Sequence, residues 1–130
     1  MRIRIELYEK PPSTQHLYGN MVRGKRVIRF MTKEGKDFKG RLATAAIKAV
    51  QTAGLEFPFQ DKVSMNLQLK FKDKRRRDID NYNKVILDAL QGIVYEDDKQ
   101  ICDLEITKDS DCIEDRIIVE VEPMREIKDE

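Results

Sequence analysis

Between positions 74 and 81 the chain reads Lys74-Arg75-Arg76-Arg77-Asp78-Ile79-Asp80-Asn81, four cations followed at once by two carboxylates. A phosphodiester is an anion that cations hold, and its hydrolysis is assisted by Mg2+ or Mn2+, which carboxylates and water bind. A nuclease needs both kinds of group in one site, where the metal offsets charge developing on the phosphoryl oxygens. A structural reading competes with this one: Asp78 or Asp80 caps a helix and interacts with its dipole, while the Arg run is a solvated turn. Capping accounts for one acid well, and for two acids beside four cations less well.

A second acidic cluster, Glu96-Asp97-Asp98, lies one predicted helix further on. It supplies the missing ligand for a small octahedral cation if that helix returns it to the same end of the sheet; otherwise it is an exposed acidic turn. Spacing alone does not choose between Asp97 and Asp98. Lys84 follows Asp80 by four residues, so on a helix the two share a face, either as a phosphate contact at the site or as a surface pair. His16 is the single histidine and sits in a polar stretch, which disfavours Ser-His-Asp and Cys-His chemistry. Neither G-x-x-x-x-G-K-[ST] nor G-x-G-x-x-G occurs, so no nucleotide cofactor is expected.

The elements that must position these residues follow from periodicity. Ile3, Ile5 and Leu7 alternate with Arg2, Arg4 and Glu6 over Arg2 to Tyr8, as in a half-buried strand, and Pro11-Pro12-Ser13 stops it. Thr14 to Lys25 reads as loop, with a short strand at Arg26 to Phe30. From Gly35 the spacing of Phe38, Leu42, Ala45, Ala46, Ala49, Val50 and Ala53 predicts an amphipathic helix that ends at Gly54. Val63, Met65, Leu67, Leu69 and Phe71 share one face of a strand over Lys62 to Phe71. A second helix is expected from Asp78–Asp80 to Gln91, with Gly92 as its cap. Strands at Ile101 to Thr107 and Arg116 to Glu122 follow, and the residues after Pro123 read as frayed. The order suits an α/β fold in one domain over residues 1–130: a mixed β-sheet packed with about two main helices.

At 130 residues the chain can bury a core without disulfides, and Cys102 and Cys112 read as ordinary reduced thiols. No run reaches the roughly 18 apolar residues of a membrane span, and Met1-Arg2-Ile3-Arg4-Ile5 lacks a signal-peptide core, so a cytoplasmic protein is expected. The net charge of +1 conceals an asymmetry: residues 1–77 hold 19 Lys and Arg against 7 Asp and Glu, and residues 78–130 hold 6 against 17. Either the first part forms a polyanion-binding surface or the halves intermix in the fold and cancel.

At these residues the chain strongly resembles the RusA family of Holliday-junction resolvases, small phage and prophage enzymes. The resemblance rests on Arg75-Arg76-Arg77-Asp78-Ile79-Asp80-Asn81, Lys84, Asp88-Ala89-Leu90 and Asp97-Asp98-Lys99-Gln100-Ile101, with Pro11-Pro12-Ser13 after the first strand. It implies that Asp78, Asp80 and Asp98 are catalytic metal ligands, that Lys84 is a catalytic or phosphate-contacting lysine, and that Mg2+ is the cofactor, with Mn2+ able to substitute. It also implies a homodimer that makes paired nicks across a four-way DNA junction. Ser13 to Tyr18 falls in a region that varies among such proteins, so junction preference is less firmly implied than nuclease chemistry. Duplex arms are expected on Lys74, Arg75, Arg76 and Arg77 and on Arg23, Lys25 and Arg26. The rival readings are a non-cleaving protein that binds branched or single-stranded DNA, and a metal-dependent ribonuclease.

Overall fold

The computed structural model describes residues 2–54, 57–79 and 82–124, with only the backbone of Thr14. Four strands form a mixed sheet in the order β1-β6-β4-β5: β1 Ile3–Leu7, β4 Val63–Lys70, β5 Ile101–Asp109 and β6 Arg116–Pro123. β6 runs antiparallel to both of its neighbours, and β4 and β5 are parallel. The alternation read in β4 is realised, with Val63, Met65, Leu67 and Leu69 buried. β6 breaks the alternation because it is central. Ile117 to Val121 are all buried, and Glu120 on the open face is closed over by Arg2 at 2.9 Å and Arg4 at 3.5 Å.

The long helix α2 spans Lys33–Ala53 and closes at Gly54, with Phe38, Leu42 and Ala46 buried. It starts before Gly35 because the Thr32 hydroxyl accepts the Gly35 N–H at 3.1 Å, as an N-cap does. α2 packs against β1 and against α3, the eight-residue helix Asn83–Leu90, which buries Val85, Ile86, Ala89 and Leu90. No helix among the described residues is long and apolar enough to cross a membrane.

Three expectations are corrected. The stretch from Thr14 to Lys25 is not loop: it holds a one-turn helix α1, Thr14–Leu17, then β2 Tyr18–Arg23, which pairs with β3 Arg26–Met31 in a separate antiparallel hairpin. Its two-residue turn has Gly24 at φ 60° and no positive φ at Lys25, the primed geometry that matches strand twist. The second helix begins at Asn83 rather than Asp78–Asp80; the expected pairing of Lys84 with Asp80 falls on a residue that lies outside the described ones. At its other end Gln91 is the C-cap, and Gly92 follows at φ 83°. Finally, parallel strands start at the same end, so Ile101 pairs with Val63. The acidic turn therefore enters beside the first residue of β4, while the basic turn follows its last. Fraying after Pro123 does not begin at Met124, whose N–H donates to the Lys62 carbonyl at 2.8 Å; residues 125–130 lie outside the described residues.

The charge halves do intermix within the sheet. Arg2 and Arg4 pair with Glu120, Lys70 with Asp109, and Lys74 with Asp111. Among the described residues, Arg23, Lys25, Arg26, Arg29, Arg75 and Arg76 have no carboxylate in ion-pair range. The described arginines that lack such a partner thus all lie on one hairpin and one turn, whereas lysines without one are spread more widely, Lys33, Lys36, Lys39 and Lys48 along α2.

Candidate active site

The basic turn after β4 is organised around an acid that composition hides. Asp73 accepts both terminal nitrogens of Arg77, at 2.5 and 2.7 Å, together with Lys10 Nζ at 3.0 Å and the Arg75 N–H at 3.1 Å. Arg77 above all, then Lys10, hold the Asp73 carboxyl far below the usual carboxylate range. The Arg77 guanidinium also lies 4.0 Å from the centre of the Phe71 ring, its side chain is only 9 % exposed, and its carbonyl accepts from Lys108 Nζ. Arg77 is therefore a brace of the turn, with both of its terminal nitrogens engaged.

The brace leaves Arg75 and Arg76 exposed. They line a cleft of about 530 Å³ together with Asp78, Tyr82, His16, Glu34 and Lys10, with Pro11 and Pro12 forming part of its wall. Asp78 is exposed and five residues before α3, whose N-cap is Tyr82 with no side-chain capping bond, so Asp78 does not cap α3. Asp80 and Asn81 lie outside the described residues.

In the acidic turn, adjacent carboxylates are used differently. Asp97 caps a single 3-10 turn, Asp98–Gln100, by accepting the Lys99 N–H at 2.9 Å. Gln100 fixes the turn on both sides: its oxygen accepts from Glu96 and Asp97 N–H at 2.8 and 3.0 Å, and its nitrogen donates to the Phe59 and Asp61 carbonyls at 2.8 and 2.9 Å. The Lys99 N–H lowers the pKa of Asp97. Asp98 shifts upward, through its contact with the Asp97 carboxyl first, then desolvation, then the charges of Asp97 and Asp88. A cation would relieve that crowding.

α3, about 12 Å long, connects the two turns. Lys84 and Asp88 lie one turn apart on it; Lys84 is exposed, and Asp88 accepts from the Tyr18 hydroxyl at 3.5 Å. Burial first, and Asp88 second, raise the Tyr18 phenol above its ordinary value. Tyr95 is fully buried behind this cluster and donates to the Leu87 carbonyl at 2.6 Å. Its phenol is raised by burial and then by Asp98 and Asp88.

Asp78 thus shares a cleft with Arg75 and Arg76, and Asp98 shares its surroundings with Asp97 and Asp88. Lys74 is exposed and 3.7 Å from Asp111; Arg23, Lys25 and Arg26 are at the hairpin tip, on a different element. Among the described residues no three His, Cys, Asp or Glu side chains are grouped to hold a metal ion. The donor chemistry still suits a hard cation, since the candidates offer carboxylate oxygens and no thiolate. Sequence reasoning did not weigh Asp88, Asp73 or Tyr82 as site residues; the Asp88-Ala89-Leu90 motif was the available signal for the first.

A mixed sheet with an acidic and a basic turn joined by one short helix, and with arginines beside an aspartate that have no ion-pair partner among the described residues, defines an α/β protein whose cleft has the chemistry to suit an anionic ligand and a hard cation. The family model for the endodeoxyribonuclease RusA matches residues 9–122, and the chain belongs to the RusA family. It is 30 % identical over 99 residues to the crossover junction endodeoxyribonuclease RusA of Escherichia coli K12, covering 75 % of this chain and 76 % of that protein. The proteins of the same description from Shigella sonnei and Enterobacteria phage 82 are each 29 % identical over the same shares.

Proposed function

We propose that this chain is a Holliday-junction resolvase, an endodeoxyribonuclease that cuts four-way DNA junctions by paired symmetric nicks as a Mg2+-dependent homodimer. The observation that carries the reading is the cleft in which Arg75 and Arg76, unpaired among the described residues, stand beside Asp78, in a chain whose family-model match spans both charged turns. The resemblance makes Asp78, Asp80 and Asp98 the residues that would hold the metal, although the Asp98 turn enters at the start of β4 and the Asp78 turn follows its end; when bound the metal supplies Lewis-acid stabilisation of charge on the phosphoryl oxygens. Arg75 and Arg76 clamp the phosphate flanking the scissile bond, bidentate where geometry allows. Lys84, exposed on α3, would be a catalytic or phosphate-contacting lysine whose ammonium offsets charge developing on the phosphate. Two symmetric nicks require two equivalent sites, which a C2 dimer provides from one sequence.

The test is incubation with a synthetic four-way DNA junction in Mg2+, with linear duplex and a matched RNA junction as controls and the mass in solution read by light scattering. Metal-dependent paired nicks in the DNA junction and a dimeric mass are expected. Equal cutting of linear duplex removes structure selectivity, preferential cutting of RNA favours a ribonuclease, and a monomer bound to the junction contradicts the dimer.

A further inference from the structure

We propose that the β2–β3 hairpin is a wedge that enters the branch point of the junction, with Val22 and Val27 set against opened base pairs and Arg23, Lys25 and Arg26 on the flanking phosphates. This rests on the junction reading above and adds how a branch is told from a continuous duplex.

Val22 and Val27 face each other on the last rung but one of the hairpin and are 72 % and 70 % exposed; the final rung is Arg23 opposite Arg26. On the other face Met21, Ile28 and Phe30 are each about two-fifths exposed. An exposed apolar ribbon outside the main sheet invites association and calls for a partner. Charge selects that partner. From Tyr18 to Met31 the hairpin carries four cations and no acid. A second copy packed on it about a two-fold axis would set this cationic patch against itself, whereas DNA is anionic along its whole length.

The base of the hairpin is built to transmit force and the tip to reach out. Thr32 donates its N–H to the Leu17 carbonyl at 2.8 Å and its hydroxyl to the same oxygen at 3.0 Å. Gly35 of α2 lies so close to that carbonyl that a Cβ would stand 2.4 Å from it. Phe30 lies across Gly19, where a Cβ would meet the ring at 2.6 Å, and Arg29 stacks 4.5 Å from the centre of the Tyr18 ring. With six residues per strand the ribbon spans about 20 Å. Apolar side chains that enter DNA must unstack a base step, which costs energy in continuous duplex. At a branch the stack is already interrupted, so the same insertion is cheaper there.

The full chain in EDTA would be bound, at concentrations that saturate a gel shift, to a four-way junction carrying 2-aminopurine beside the branch or deep within one arm. A rise in fluorescence at the branch and none in the arm is expected for the wild type, with most of that rise lost in the double variant Val22→Ser, Val27→Ser. If the serine pair disturbs the fold, Val22→Thr, Val27→Thr, close in shape and favourable in strands, carries the same comparison. A wild type that binds and cuts the junction with no rise, or variants that keep it in full, would overturn the wedge alone. Conversion of a dimer to a monomer by either pair would assign the hairpin to an interface between copies and also overturn it. A wild type that, in Mg2+, cuts linear duplex as readily as the junction would overturn the functional reading and the wedge together.

Discussion

The two charged turns that flank opposite ends of β4 are built on the same plan with opposite sign. In the basic turn Asp73 takes up Arg77 and Lys10 and leaves Arg75 and Arg76 exposed. In the acidic turn Gln100 and the Asp97 cap fix the backbone and leave the Asp98 carboxylate crowded by like charge. Each turn commits one member of a run of identical residues to architecture and leaves its neighbour exposed. Adjacent residues of one type therefore have separate jobs, and the comparison can be broken residue by residue.

The largest effect on stability is expected at Gln100. Its side chain makes four hydrogen bonds to backbone groups, each worth about 1 kcal/mol net, so Gln100→Ala should cost roughly 2–4 kcal/mol by chemical denaturation. A change under about 0.5 kcal/mol would show that the acidic turn holds without its lock. Arg77→Ala should cost about 1 kcal/mol through its lost stacking on Phe71 alone. Arg75→Ala and Arg76→Ala should leave stability within about 0.5 kcal/mol and instead lower the salt slope of DNA binding by about one unit each. The reverse pattern, a soft Arg77 and a destabilising Arg75, would contradict the division of labour in the basic turn.

The smallest effects are in pH dependence, measured in EDTA, and they carry opposite signs. Asp73 has a depressed pKa, so the brace contributes stability above the unfolded Asp value of about 4 and loses it as pH falls below that. Asp98 has a raised pKa, so the folded turn takes up a proton before the unfolded chain does, and acidification towards about pH 4 relieves repulsion. Asp73→Asn should therefore remove a loss of stability on the acid side of pH 4, and Asp98→Asn should remove a gain just above it. Thermal melting from pH 3 to 7 would read both.

Much of this frame is legible in the sequence because it rests on local periodicity. β4 and α2 show their burial in period two and in i, i+3, i+4 spacing, and the structure follows them to within two residues. Only half of the hairpin is legible: the short strand expected at Arg26 to Phe30 is β3, Arg26–Met31, but Tyr18–Arg23 reads as loop, because both strands are largely exposed and neither has a buried alternate set. The divisions within the turns were hidden for another reason. Nothing local separates Arg77 from Arg75 and Arg76, since its role depends on Phe71 and on an acid also bound by Lys10, 63 residues away. Gln100 likewise acts through carbonyls about forty residues earlier in the chain. Spacing leaves Asp97 and Asp98 as alternatives; the family resemblance implies Asp98, and the capping geometry adds that Asp97 is engaged by the backbone.

That distinction gives the most direct test of the central claim, that Asp98 serves the reaction while Asp97 serves the turn. Junction cleavage in Mg2+ and thermal melting in EDTA would be measured on Asp97→Asn and Asp98→Asn from matched preparations. Asn caps about as well as Asp, so Asp97→Asn should keep its fold and most of its cleavage. Asp98→Asn should melt at or above the wild-type temperature in EDTA, because like-charge crowding is relieved, and should lose cleavage by a hundredfold or more, on the order of 3 kcal/mol in the barrier. Near-normal cutting by Asp98→Asn, or loss of cutting confined to a well-folded Asp97→Asn, would contradict the assignment.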